Sequence, residues 1–259
     1  MGSYFLVVLL LFIPAVQSGV SSIVANALSK KLNTTVSIGR IDVGLLNRLI
    51  LKDVLIKDQA GRPMLRVGLI SAKFEVSPLA QGKIIISTAQ LFDFQALLYQ
   101  ESKNKKPNYQ FVIDAFASKD TTKHSNPDLR INTLLIRRGT VRYDKWFVPS
   151  TEGKFNVAHL LIKNLSANVV VKSFRRDSLN AKLKQLHLDE QSGFHLNSLS
   201  FYVTANRHCT LLSKLHLVMP GTDIVIDSMR TYYLWNKSID WQSVRFGGSL
   251  KPSVVTLAD

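Results

Sequence analysis

Alternation of apolar and polar residues is the feature that most constrains how this chain can fold. From Thr34 onward the dominant period is two, as in residues 65–76, LRVGLISAKFEV. Successive side chains of a β-strand point to opposite faces, so this period predicts half-buried strands. Similar segments recur to the end of the chain, separated by turn formers such as residues 58–63, DQAGRP. The body of the protein is therefore predicted to be mostly β.

Two β segments repeat one another weakly. Residues 86–98 (ISTAQLFDFQALL) align with residues 131–143 (INTLLIRRGTVRY), and the same outline recurs at 160–171 and 183–203. Repetition of a β unit with little intervening helix favours an elongated, twisted, solenoid-like sheet. A closed sandwich would space its strands in a similar way, so the repeat leaves both architectures open.

Helix candidates after residue 33 are few. The clearest is 110–117, QFVIDAFA, and the polar stretch 118–128 that follows it is the best candidate for a linker. We therefore expect one or two short helices and a boundary near residue 120. The predicted β segments are 34–120 and 121–259.

The N-terminal residues carry a different pattern. Residues 4–16, YFLVVLLLFIPAV, are uncharged but shorter than the roughly 20 residues that span a bilayer as a helix. They match the apolar region of a signal peptide, without its basic flank. One helical face then carries Val20, Ile23, Val24, Ala27, Leu28 and Leu32. These patterns predict a membrane anchor at 1–17, truncated or cleaved, and an amphipathic helix at 18–33.

Charge and cysteine content restrict the possible partners. The chain has 33 Lys+Arg against 18 Asp+Glu, a formal net charge of +15. Such a balance favours anionic surfaces, although lysines scattered along strands are usually a solvated face. Aromatic residues do not cluster with the basic ones as a nucleic-acid stacking platform requires, so we expect no nucleic-acid partner. The single cysteine, Cys209, excludes an intramolecular disulfide.

No catalytic constellation is evident. No two of the six histidines have the i, i+4 spacing of a helical metal site, and the nucleophile-elbow, Walker and dinucleotide-binding glycine motifs are absent. We therefore expect no enzyme activity, no catalytic residues, no metal ligands and no cofactor.

The order of several segments resembles a known family. A helix ending in ALSKKL (27–32) precedes VSIGRIDV (36–43) and LKDVLIKDQAG (51–61), and YQFVIDAF (109–116) comes later. From about residue 14 to 258 this order resembles the N-terminal region of TamB, the translocation and assembly module subunit of the AsmA-like family, in its Bacteroidetes form.

The resemblance implies a location and a function. Members of this family have one N-terminal span in the bacterial inner membrane and a groove-like β body in the periplasm. They support outer-membrane protein assembly, protein secretion or phospholipid transport between membranes, and a C-terminal domain meets an outer-membrane barrel protein. The short anchor and the 259 residues depart from this pattern. We therefore expect the N-terminal piece of a longer protein.

The inward side chains of consecutive strands would then form an apolar groove for phospholipid acyl chains. The predicted groove residues are Ile38, Leu51, Leu55, Ile84, Ile86, Leu98, Ile131, Val141 and Tyr143. Each of them could equally belong to an ordinary sheet core. The alternative function is a structural or interaction scaffold of the cell envelope without lipid cargo.

Overall fold

The chain is mostly β, as the alternation predicted. The computed structural model describes residues 14–44, 47–75, 85–116, 130–151, 153–175, 178–236 and 238–256. Its helices are α1 (Pro14–Leu32) and α2 (Gln110–Phe116). Its strands are β1 (Val36–Gly44), β2 (Arg48–Lys57), β3 (Pro63–Phe74), β4 (Ile85–Gln100), β5 (Arg130–Ile131), β6 (Thr133–Lys145), β7 (His159–Arg175), β8 (Ser178–Glu190), β9 (His195–Asn206), β10 (Cys209–Met219), β11 (Thr222–Asn236) and β12 (Ser238–Leu250).

All of these strands join one open sheet. Eleven follow the order β1-β2-β3-β4-β6-β7-β8-β9-β10-β11-β12, and β5 pairs with β4 beside that path. Neighbours are antiparallel except where β4 meets β5 and β6. Parallel strands need a crossover connection, and α2 lies within this one. The sheet thus runs through both predicted β segments, while residue 120 lies outside the described residues.

The two weakly repeated segments lie side by side in the sheet, where β4 pairs in parallel with β5 and β6. Ile86 lies beside Ile131, and Leu98 lies beside Tyr143, with the offset of the sequence alignment throughout. Paired residues point to the same face of a sheet, so equivalent positions of the repeat share a face.

Residues in the left-handed backbone conformation occur in several strands, where they shift the alternation of side chains between the two faces. Asp53, Asp93 and Arg138 have φ values of 55°, 54° and 53°. Such a conformation turns the chain locally and changes the face to which the following side chains point. Leu51 and Val54 therefore both pack in one apolar cluster although they are three residues apart. The strands keep their apolar residues on one face across the irregularity.

Helix α1 contains the predicted amphipathic helix and is fastened to the sheet at its end. Asn33 has a φ of 50°, and the N–H of Thr34 donates to the carbonyl of Ser29 at 3.1 Å, the bond of a Schellman motif. The Ser29 hydroxyl then accepts a hydrogen bond from the Val36 N–H at 2.9 Å. Gln59 donates to the Leu32 carbonyl at 3.1 Å, so the β2–β3 turn satisfies a terminal helix carbonyl.

The packed face of α1 differs from the predicted one. Ala25 is buried and Leu28 packs against the apolar cluster, but Ile23 is 70% exposed and Ala27 is also exposed. Ile23 and Ala27 were therefore wrongly placed inside. The small Ser21 and Ala25 take the inner positions and let the helix approach the sheet closely.

The predicted anchor falls mainly on residues 1–13, outside the described residues, and its last four residues belong to α1. Among the described helices, none is long and apolar enough to cross a membrane.

Candidate apolar binding face

Registered partners place the apolar side chains on one face of the sheet, here called the apolar face. A continuous row of such partners crosses ten strands, from β1 to β11 without β5, and every member is apolar. The row is Ile41, Leu51, Ile70, Leu91, Ile136, Ala167, Leu186, Leu199, Leu217 and Ile224. A second apolar row runs from β2 to β9 through Leu49, Ala72, Ala89, Leu134, Val169, Leu183 and Phe201.

The opposite face of the sheet, here called the polar face, has a different chemistry. One row of partners across β8–β12 consists only of polar side chains. It contains Lys182, Tyr202, Ser213, Ser228 and Ser249. Because the two faces are this distinct, the sheet presents an apolar surface and a hydrogen-bonding surface back to back.

Five of the predicted groove residues lie on the apolar face. They are Ile38, Leu51, Leu98, Val141 and Tyr143. Ile38 is buried in the apolar cluster, and the other four are half-buried. The structure thus brings these side chains onto one surface, which spans β1, β2, β4 and β6.

Leu55 lies on the polar face instead. Its sequence neighbours Val54 and Ile56 both pack into the apolar cluster, so the side chain of Leu55 points the other way. A strict period of two from Leu51 would place Leu55 on the same face. The left-handed Asp53 between them shifts the alternation and separates the two leucines.

The remaining predicted residues lie at the edge of the sheet or beyond the described ranges. Ile86 is half-buried near the start of β4, where it pairs with Phe74 and Ile131. Ile131, in β5, is 38% exposed. Ile84 lies outside the described residues.

The apolar face is covered at one end of the sheet and uncovered at the other. Val24, Ala25 and Leu28 of α1 pack against the cluster formed by β1–β4. In the described part of β8–β12, Ala181 and Leu196 are the only buried apolar residues, and no helix or second sheet layer lies over these strands. The members of the long row from β8 to β11 are half-buried.

Sequence reasoning missed this uncovered part of the face. All predicted groove residues came from β1–β6 or the segment before β4, whereas the uncovered row continues through Leu186, Leu199, Leu217 and Ile224. Residues 180–226 contain the same period-two alternation that located the earlier strands. That signal identifies the strands, but it does not tell which of them a helix covers.

Charges on the polar face of the first strands are paired with one another. Arg138 in β6 contacts Asp93 in β4 with two hydrogen bonds, Nε to Oδ1 at 2.6 Å and Nη2 to Oδ2 at 2.8 Å. This contact holds the pKa of Asp93 below its usual value. Arg40 and Lys52 contact Asp42 at 2.7 and 3.1 Å. Arg40, Lys52 and Arg138 therefore each have an anionic partner within the sheet.

A buried carboxylate organises the sheet edge beside the β2–β3 turn. Asp58 accepts backbone hydrogen bonds from Ala60 and Arg62, both at 2.9 Å, and the hydroxyl of Tyr99 donates to it at 2.6 Å. Burial and this bond to Asp58 raise the pKa of Tyr99 to about 12. The ring of Tyr99 stacks on Trp146 with centroids 4.5 Å apart. These contacts join the turn to β4 and to the end of β6.

Histidine–aspartate pairs lie at the ends of strands rather than in a common cluster. The pairs are His159 with Asp144, His195 with Asp189 and His216 with Asp223, at 3.0, 3.0 and 2.9 Å. Hydrogen bonds that the His159 imidazole donates to Asp144 and to the Val148 carbonyl raise the pKa of His159. No group of three or more His, Cys, Asp or Glu within the described ranges could hold a metal ion.

Two comparisons with known proteins identify no relative of this chain. A scan against protein-family models finds no match to this chain, and a search of curated proteins finds no matching sequence.

Proposed function

We propose that this chain binds phospholipid acyl chains along its apolar face, as a non-enzymatic component of a bacterial cell envelope. The observation that carries the proposal is the continuous apolar row that passes from the covered strands into the uncovered strands β8–β11. Contiguous apolar surface of this extent is uncommon on soluble monomers and usually marks a binding site.

The dimensions of the uncovered surface suit an acyl chain. Neighbouring strands lie about 4.8 Å apart, so the row from β8 to β11 extends over about 14 Å. One leaflet of a bilayer has a hydrocarbon depth of about 15 Å, half of the roughly 30 Å core. Each methylene group that leaves water on such a surface contributes about 0.8 kcal/mol. Several methylenes in contact with the row would thus bind measurably.

The kinked strands support the idea of a groove. The left-handed residues Asp53, Asp93, Arg138, Asn164 and Lys214 occur in five strands along the sheet. Local turns of this kind bend strands and increase their twist, which would curve the apolar face into a trough.

The cellular setting of the proposal comes from the resemblance to the AsmA-like family. In this setting residues 1–17 anchor the protein in the inner membrane as a single span, and the body lies in the periplasm. The role of the protein would be lipid transport between membranes, or support of outer-membrane protein assembly and secretion. A further C-terminal domain would meet an outer-membrane barrel protein.

Native mass spectrometry of the full chain, purified from a bacterial envelope, tests lipid binding. We expect co-purified phospholipid in the wild-type protein and its loss in Leu199→Asp, which places a charge on the apolar face. Ser200→Asp is the matched control because Ser200 pairs with His216 on the polar face. A folded wild-type protein free of lipid, or equal lipid retention in both variants, would contradict the proposal and favour a scaffold.

A further inference from the structure

Three charged side chains form a connected group where β6 ends and β7 begins. Asp144 and His159 are registered partners, and their side chains are only 19% and 15% exposed. Arg142 donates from Nε to Asp144 Oδ2 at 2.7 Å, and His159 Nδ1 lies 3.0 Å from Asp144 Oδ1. Burial opposes ionisation of Asp144, but the hydrogen bonds from Arg142 and His159 hold its pKa below the usual value. Asp144 is therefore an anion that only accepts hydrogen bonds.

The other ring nitrogen of His159 contacts the segment that follows β6, residues 146–151. Its Nε2 lies 2.7 Å from the backbone carbonyl oxygen of Val148. A carbonyl oxygen accepts hydrogen bonds and cannot donate one, and the same holds for the Asp144 carboxylate. Neutral imidazole has one N–H group, whereas imidazolium has two. Only the protonated ring can therefore satisfy both contacts.

The contact with Val148 is the strongest link between this segment and the strands beneath it. Within the described part of the chain, the N–H groups of Trp146 and Val148 donate to strand carbonyls at 3.1 and 3.0 Å. The carbonyl of Pro149 accepts a longer bond of 3.5 Å from a side chain. The His159 contact is shorter than these and has a charged donor, which strengthens a hydrogen bond. Loss of the ring proton therefore weakens the attachment of the segment.

The charges that β6 presents to His159 favour the protonated ring. The hydrogen bond to Asp144 and then the bond to the Val148 carbonyl raise the pKa of His159, while the charge of Arg142 opposes them. The sign follows from linkage: a raised pKa in the folded state stabilises the arrangement at low pH. The stabilisation is fully present below the ordinary value of 6.5 and is lost as the pH rises through the raised value.

The other elements around His159 add few charges. Lys154 of the β6–β7 connection lines the same hollow as the ring, and Gln191 and Ser192 of the β8–β9 turn line it as uncharged groups. Glu190 at the end of β8 accepts hydrogen bonds from Ser192 and from the backbone of β7. Glu152 lies outside the described residues. Among the described groups, Asp144 is thus the anion that contacts the ring.

The 146–151 segment forms one wall of this hollow, which has a volume of about 660 Å³. Val148, Ser150 and Thr151 line it from the segment, and Arg142 and His159 line it from the strands. Because the wall is attached through His159, movement of the segment away from the strands would open the hollow to solvent.

We propose that protonated His159 holds the 146–151 segment against the ends of β6 and β7, and that loss of the proton releases the segment and opens the hollow. The contact joins β6, β7 and the segment, so its response to pH does not depend on acyl chains bound to the apolar face.

Nitrogen NMR of the histidine rings in the full wild-type chain tests the protonation. We expect both ring nitrogens of His159 to carry protons at about pH 6, and one proton to be lost as the pH rises toward about 9. A neutral His159 ring at about pH 6 would overturn the proposal, and this measurement requires no variant.

Hydrogen exchange of the 146–151 amides, corrected for the intrinsic pH dependence of exchange, tests the release. Protection in the wild-type chain should fall at least about tenfold between about pH 6 and about pH 9, as expected when a charged hydrogen bond is lost. His159→Gln has no charge to lose and should show low protection at both ends of this range. His195→Gln is the matched control, because His195 contacts Asp189 through one nitrogen at 3.0 Å, and it should keep the wild-type response. Protection independent of pH in the wild type, or a wild-type response in His159→Gln, would overturn the proposal.

Discussion

The two ends of the sheet have the same strand pattern but differ in what surrounds it. In the first region, α1 with β1–β4, the apolar face carries a packed cluster that includes Val67 and Phe94. In the second region, β8–β12, the apolar face has no covering element in the described residues. The first region therefore holds the packed core, while the second leaves its apolar face half-exposed among the described residues.

This difference explains why alternation alone does not locate a binding surface. A strand with one apolar face folds equally well against a helix or against a ligand. Only the packing of α1 decides which strands belong to the core. Substitutions in the two regions are therefore expected to have unequal effects.

The largest expected effect is that of a buried charge in the first region. Val67 is 2% exposed in the centre of the cluster, so Val67→Asp should lower the free energy of unfolding by more than about 4 kcal/mol or prevent folding. Leu217→Asp, at a half-buried position in β10, should cost less than about 2 kcal/mol. Denaturation with urea measures both, and equal losses would show that the second region is packed as tightly as the first.

A smaller loss is expected where β4 and β6 meet. A Cβ at Gly139 would overlap the ring of Phe94, so Gly139→Ala should cost about 1–3 kcal/mol through overpacking. Gly247 in β12 has open space around it, and Gly247→Ala should stay within about 0.5 kcal/mol. Thermal unfolding of the two variants compares a tight with an open part of the sheet. An unchanged midpoint for Gly139→Ala would contradict close packing there.

The bond between Tyr99 and Asp58 predicts a pH dependence of stability in the first region. The pKa of Tyr99 is raised from 10.0 to about 12 in the folded protein, so the neutral phenol is favoured by folding. Its contribution is fully present below pH 10 and is lost as the pH rises toward 12. Tyr99→Phe should be less stable than wild type at pH 8, by about 1–2 kcal/mol, and the difference should shrink above pH 10. A constant difference across this range would contradict the assignment.

The smallest expected effect concerns the exposed pair between β4 and β6. Removing the guanidinium in Arg138→Gln should return the pKa of Asp93 upward toward its ordinary value, because the hydrogen bonds that lower it are lost. The stability contribution of a lowered carboxyl pKa is present above its unfolded value and lost as the pH falls. Carboxyl NMR titration measures the shift, and an unchanged Asp93 would show that the pair is not formed in solution.

The secondary structure and part of the register could be predicted from the sequence, but the orientation of some side chains could not. Alternation located the strands, and the repeat paired Leu98 with Tyr143. Alternation placed Leu55 on the wrong face, because the positive φ of Asp53 cannot be recognised from a pattern of period two. The helical spacing of apolar residues also placed Ile23 on the packed face, because the helical faces containing Ile23 and Val24 are adjacent and both partly apolar.

Photocrosslinking in the bacterial envelope tests whether phospholipid contacts the uncovered apolar face. A photoreactive amino acid is placed in the full chain at Leu217, on the apolar face of β10, or at His216, its neighbour on the polar face. We expect phospholipid adducts at position 217 and few at position 216, because only the first side chain lies on the proposed lipid surface. Equal labelling at the two positions, or labelling at position 216 alone, would contradict an acyl-chain surface on the uncovered strands.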